Sequence, residues 1–295
     1  MALLRTPERA QAQFTDPHTY DNAPVGTNVL ELGYDYARAD ASLDTFFVIA
    51  GARLDLNQGI VDYTRYFGLF HRLIWVKAGV PVANLSGSIQ GTNIQGSTTG
   101  TGDSGYEAAI LLKGGPALTA DQFETYRPST TVGVDLAIAA PTGSYNANKI
   151  LNLGSDRWSF KPEIAVSHPF GLEQKWQIDA YANAYFFTNN TSYRGKEILR
   201  QDPLPGLEAH LSYFLLENLW ASIDTRYAFR GETWVSGVNQ NDAQKAFILG
   251  SEMNVAVNAR HSFTFKFAKA VVHENAPTQT GFEVKYSYTW AKGYK

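Results

Sequence analysis

His210-Leu-Ser212 places an imidazole and a hydroxyl on one face of an extended chain, a spacing at which histidine can activate serine for acyl hydrolysis. Glu208 has the same parity, so an ordinary polar strand face accounts for the pair as well as a nucleophile and its base would. Gly100-Thr-Gly102-Asp-Ser-Gly105 spells G-x-G-x-x-G. That motif cradles a pyrophosphate only between a strand and a helix N-terminus. Here a Ser/Thr/Gly-rich stretch precedes it and the strand-like YEAAILLK follows, as in a flexible loop. His18, His71, His168, His261 and His273 are scattered without metal-ligand spacing. The 295 residues include no cysteine, which excludes disulfides, thiolate metal sites and Cys nucleophiles. A net charge of -3 without clustered Lys and Arg argues against nucleic acid. The expectation is a protein without metal or cofactor and not an enzyme, with a lipase or esterase using His210 and Ser212 as the less favoured alternative.

The elements that carry these residues are extended. Twelve segments alternate with period two, near 28–38, 58–69, 72–86, 104–114, 127–140, 157–167, 175–188, 204–214, 219–230, 245–257, 261–271 and 281–291. Their connections also alternate. Long ones run near 39–57, 87–103, 141–156, 189–203, 231–244 and 272–280, and short ones at 70–72, 168–174, 215–218 and 258–261. One connection, GGPALTADQFETY at 114–126, breaks the rule and suits a short helix. Residues 44–56 also look extended; they are assigned to the first external loop or to an extension of strand two, because a thirteenth wall strand would separate the termini. Mean hydropathy is -0.24, and no run reaches the ~18 apolar residues of a membrane helix. Transmembrane barrels lack such runs, because their strands alternate lipid-facing and lumen-facing residues. The predicted fold is all-β: a transmembrane antiparallel barrel of 12 strands over residues 28–291, with long external loops, short periplasmic turns and a tail at 1–27 positioned to plug it. The tail has no apolar h-region, as expected of a mature exported chain.

If the apolar parity faces lipid, Glu31, Asp35, Asp62, Lys77, Glu107, Lys113, Asp135, Lys161, Glu163, Asp179, Glu208, His210, Asp224, Arg226, Arg230, Glu252, Lys266, Glu283 and Lys285 line the lumen. Such charges are ruinous in a dry core unless paired, but inexpensive in a wet one. Arg65 falls on the lipid parity and must lie near a rim. Trp75, Trp158, Trp176, Trp220 and Trp290 fall near strand ends and are expected in the interface girdles. Tyr145, Ile150, Leu151 and Leu153 give the 141–158 loop an apolar side, which suits either a constriction folded into the lumen or packing at the rim.

PTGSYNANKILNLGSDRWSFKPEIAVSHPFG at 141–171 resembles an outer-membrane channel family named for the meta-pathway of phenol degradation. Residues 65–88, 114–118 and 201–233 are also similar to it. The resemblance implies an outer-membrane channel linked to catabolism of aromatic or other hydrophobic compounds, with no catalytic residues to carry over. The combined expectation is a monomeric bacterial outer-membrane barrel among lipid and lipopolysaccharide, admitting small hydrophobic or aromatic solutes passively. An unselective polar porin is the alternative on the same fold.

Overall fold

Alternation sorts the side chains most plainly on residues 219–230. Ile223 is 65% exposed, while Asp224 and Arg226 on the opposite parity are 1% and 0% exposed. A sheet with an apolar outside and a charged inside has to close on itself, because in lipid an open edge leaves backbone groups unsatisfied. The computed structural model describes residues 15–40, 52–89, 91–93, 95–149, 151–276 and 278–291, and it shows that closure.

The wall strands are β1 (Asn28–Asp40), β2 (Ala52–Leu69), β3 (Arg72–Ile89), β4 (Ser104–Lys113), β5 (Thr131–Ala140) and β6 (Ser159–Phe170). They continue as β7 (Trp176–Phe187), β8 (Leu204–Leu216), β9 (Leu219–Arg230), β10 (Gln244–Ala256), β11 (His261–Glu274) and β12 (Thr278–Trp290). Each pairs antiparallel with its sequence neighbours. The last pairs with the first from Asn28↔Trp290 to Asp40↔Thr278. The chain is thus a closed 12-stranded antiparallel barrel with both ends of its wall on the short-turn rim. That rim carries the Phe70-His71 hairpin, whose two residues both have positive φ, as the twist of a two-residue turn demands.

Strand two starts at Ala52, so the end of the 44–56 stretch extends it; 44–51 lie outside the described residues. Gln95–Thr101, inside a stretch read as loop, forms a further strand on the outer half of β3, from Val82↔Thr101 to Ser88↔Gln95. The 189–203 and 231–244 loops build a separate four-stranded sheet from Asn190–Tyr193, Glu197–Gln201, Thr233–Val235 and Val238–Asn239. The 114–126 connection holds a one-turn helix, Ala120–Phe123, on the short-turn side. Thr119 and Gln122 cap it reciprocally, each side chain satisfying the other's backbone N–H.

The outer face is a band of exposed Val61, Val80, Leu136, Ile164, Ile178, Leu211, Phe265 and Phe282. Trp158 and Trp176 are exposed at opposite ends of the wall, and Trp290 stacks on Tyr288 at 5.3 Å on the outer face. Arg65 is exposed near the short-turn rim, its guanidinium 5.4 Å from the Phe67 ring centre. Two tryptophans depart from the girdle. Trp75 is 2% exposed and shares the inward face of Leu73 and Lys77; Trp220 points inward with Ser222 and Asp224.

Ile223→Arg is expected to destabilise the barrel by about 2–4 kcal/mol in a bilayer-folding titration, because it puts a cation against lipid. Ala137→Arg, at an inward position beside open space, is expected to cost much less. Equal costs would reverse the assignment of faces.

Candidate functional site

Inside the barrel the charged side chains form two networks. Around β6 to β9, Arg226 Nη1 lies 3.3 Å from Glu208 Oε1, and Lys161 Nζ 3.2 Å from Glu163 Oε2. The Asn183 amide donates to Glu163 at 2.8 Å and to Glu208 at 3.0 Å. His210 Nδ1 meets Asp224 Oδ1 at 2.8 Å, and the Gln177 amide donates to Asp179 at 3.0 Å. On the opposite wall, Lys77 lies 3.6 Å from Glu31 and 3.9 Å from Asp62. Lys266 lies 3.5 Å from Glu252 and 3.7 Å from Glu283, and Lys285 lies 3.6 Å from Glu31. Glu107 accepts from Trp75 Nε1 at 2.8 Å, which explains why that indole turns inward. Asp35, nearer the outer mouth, accepts from Gln58 at 3.0 Å, and Asp135 lines the space between the networks.

Two residues expected in the lumen lie elsewhere. Lys113 follows a bulge after Leu111 and is exposed at the rim. Arg230 closes β9 with a φ of 68° and is exposed. Parity fails at both because the strand geometry ends there.

Residues 15–27 run inside the wall and join the networks. The Thr15 N–H donates to Glu208 at 2.7 Å and its hydroxyl to Glu163 at 2.9 Å. Asp16 is hydrogen-bonded to Lys266 and, at 2.6 Å, to Lys285. The His18 ring lies 4.5 Å from that of Trp220, which explains the second inward indole. Tyr20 is fully buried against Trp75 and Tyr181, with its hydroxyl donating to Glu163 at 2.9 Å. Burial first, and Glu163 next, push that hydroxyl far above its ordinary pKa, so it stays a donor. Gly133 makes the room: a Cβ there would stand 2.4 Å from Tyr20 Cδ1. Above the tail a cavity of about 400 Å³ remains.

The outer mouth is shaped by the 141–158 loop. Leu151 and Leu153 pack on inward Leu54 and Leu85, with Leu56 and Ile89 alongside. Tyr145 instead joins the neighbouring loop, its hydroxyl donating to the Ser192 carbonyl at 3.4 Å and accepting from Asn190 at 3.1 Å. Ile150 lies outside the described residues. Asp103 holds the loop by accepting from Gly143 N–H (2.8 Å), Ser155 N–H (2.9 Å) and the Ser155 hydroxyl (2.6 Å). A Cβ on Gly143 would stand 2.7 Å from the Gly102 carbonyl carbon, and one on Gly154 would stand 2.7 Å from the carbonyl carbon of Gly143. The G-x-G-x-x-G stretch is therefore a loop anchor, neither a phosphate cradle nor the loose segment its composition implied.

The His210 and Ser212 side chains are sealed in the wall. His210 Nε2 lies 3.9 Å from Glu208, and the Ser212 hydroxyl makes no hydrogen bond to the imidazole among the described residues. This geometry does not activate Ser212.

A family model described as "Putative MetA-pathway of phenol degradation" matches residues 37–286. The chain belongs to that family. No curated protein sequence matches it. Its structure is similar to that of the COG4313 outer membrane channel from Pseudomonas putida F1, with a TM-score of 0.81 and 21% identity over 94% of this chain and 100% of that one. The β domain of the Bordetella autotransporter BrkA follows at TM-score 0.54 and 11% identity, over 90% of this chain and 100% of that one. The transport unit of the autotransporter AIDA-I from Escherichia coli gives TM-score 0.53 and 9% identity, over 98% and 93%. With its apolar outer band, this family member is an integral outer-membrane barrel.

Asp103→Ala is expected to loosen the 141–158 loop by on the order of 2 kcal/mol, read as faster protease cleavage there in an otherwise folded barrel. For Asp16, burial alone would raise the carboxyl pKa, but Lys266 and Lys285 hold it well below the ordinary carboxylate range. A depressed folded pKa stabilises docking above the ordinary value and loses that contribution as pH falls through the folded one. Hydrogen exchange of residues 15–27 is therefore expected to stay protected in mild acid and to rise only in stronger acid.

Proposed function

We propose that the barrel is a passive outer-membrane path for small hydrophobic or aromatic solutes, working as a monomer among lipid and lipopolysaccharide and without catalysis. The observation that carries this reading is the lumen's two-ended character. The outer end is narrowed by the 141–158 loop, whose Leu151 and Leu153 pack on inward Leu54 and Leu85, and the short-turn end is occupied by residues 15–27. A solute that passes this constriction reaches a cavity lined by charged and aromatic side chains, which the tail separates from the periplasm. The tail is then the plug, the 141–158 loop the outer constriction, and the inward charges the selecting wall.

A sideways exit has its own support. The β6–β7 ladder skips from Phe160↔Phe186 to Glu163↔Asn183, and Pro162, in the gap, has no N–H to donate. On the other edge of β7, Ala184 faces Pro205. The wall is easiest to part where the ladder is thinnest.

Single-channel conductance in planar bilayers tests the plug. The full chain is expected to be silent or to pass small current steps, and deletion of residues 1–20 to give large, salt-dependent ones once heat-modifiable mobility shows that the barrel is folded. Equal, free conductance of both chains would favour the unselective porin.

A further inference from the structure

The two lysines that meet Asp16 are arranged as a receptor for a carboxylate. Lys266 and Lys285 stand on adjacent strands, β11 and β12, and their side chains are 10% and 11% exposed. The wall acids near them lie at 3.5 Å (Glu252), 3.6 Å (Glu31), and 3.7 and 3.9 Å (Glu283), so they balance charge more than they hydrogen-bond. Asp16 hydrogen-bonds to both ammonium groups. It is supplied by the tail and not by the wall, and it borders the cavity of about 400 Å³. Tyr66, Trp75, Tyr185 and Trp220 line the same cavity, giving a flat apolar body surfaces to lie against.

We propose that Lys266 and Lys285 form a binding site for an aromatic monocarboxylate, which Asp16 occupies in the tail-docked chain and which the solute takes by displacing it. The exchange conserves charge: one carboxylate leaves the ammonium pair and another arrives. A dianion is disfavoured because Glu31, Glu252 and Glu283 already surround the lysines, and a neutral analogue gives them nothing to bind. Displacement also removes an anchor of the tail, so the solute that fits the site loosens the segment that blocks its way. This inference rests on the lumen being a solute path and adds the class of solute.

Sodium benzoate and its neutral analogue benzamide are the probes, titrated calorimetrically into the full, folded chain and into Asp16→Asn. An internal competitor lowers apparent affinity by the fraction of sites left open. Asp16→Asn is therefore expected to tighten benzoate about tenfold and to leave benzamide unchanged. Lys285→Gln, if folded, is expected to abolish benzoate preference; if it does not fold, the benzoate and benzamide comparison in the first two chains decides. Equal binding of both probes, or no gain for benzoate in Asp16→Asn, overturns the site. Failure of the path itself reads differently: benzoate binds as expected, yet the tail-deleted chain passes no current.

Discussion

Every sheet edge in the wall is paired, and the rest of the molecule depends on that closure. With no open sheet edge left facing lipid, the strands need only an apolar outer parity to be stable in a bilayer. The inner parity is released from the rule that excludes charge from a protein core. It can hold Arg226, Asp179 and Asp224 out of solvent only because each has a partner within the ring. The charged lumen is a consequence of closure, and the docked tail is a consequence of the charged lumen, since Thr15, Asp16 and Tyr20 bond to Glu208, Glu163, Lys266 and Lys285 of the wall.

The period-two pattern carried most of this into the sequence. The twelve segments and most of the long and short connections between them are visible in residue order, because each strand meets lipid on one side and water or paired charge on the other; the connection near 272–280, read as long, is a three-residue turn between extended β11 and β12. Where a second influence acts, the pattern misleads. Trp75 and Trp220 look like girdle residues by their nearness to strand ends, yet their parity with Lys77 and Asp224 already marked them as inward. Arg230 and Lys113 show the reverse, with parity correct up to the last residue and then lost to a positive φ and a bulge.

Contacts that skip along the chain were not legible. Nothing in residue order joins Asp103 to Ser155, or makes Gly102, Gly143 and Gly154 one close approach of three backbone segments. Composition called the 100–105 stretch loose because glycine and serine are common in loose loops; the same glycines are required where backbones touch. The strand at Gln95–Thr101 is hidden for a related reason, since GSTTG has no apolar parity to display.

The tail's partners also bear on the order of assembly. Thr15 bonds to residues 148 and 193 positions away, and Asp16 to residues 250 and 269 positions away, on strands made much later. Asp16 therefore has no complete binding place until the last hairpin has joined the first strand. Contacts of such separation form late, because the closing of long loops has to precede them. A maturing barrel would pass through a state with its wall complete and its interior still vacant, and the settling of residues 15–27 would mark the end of folding.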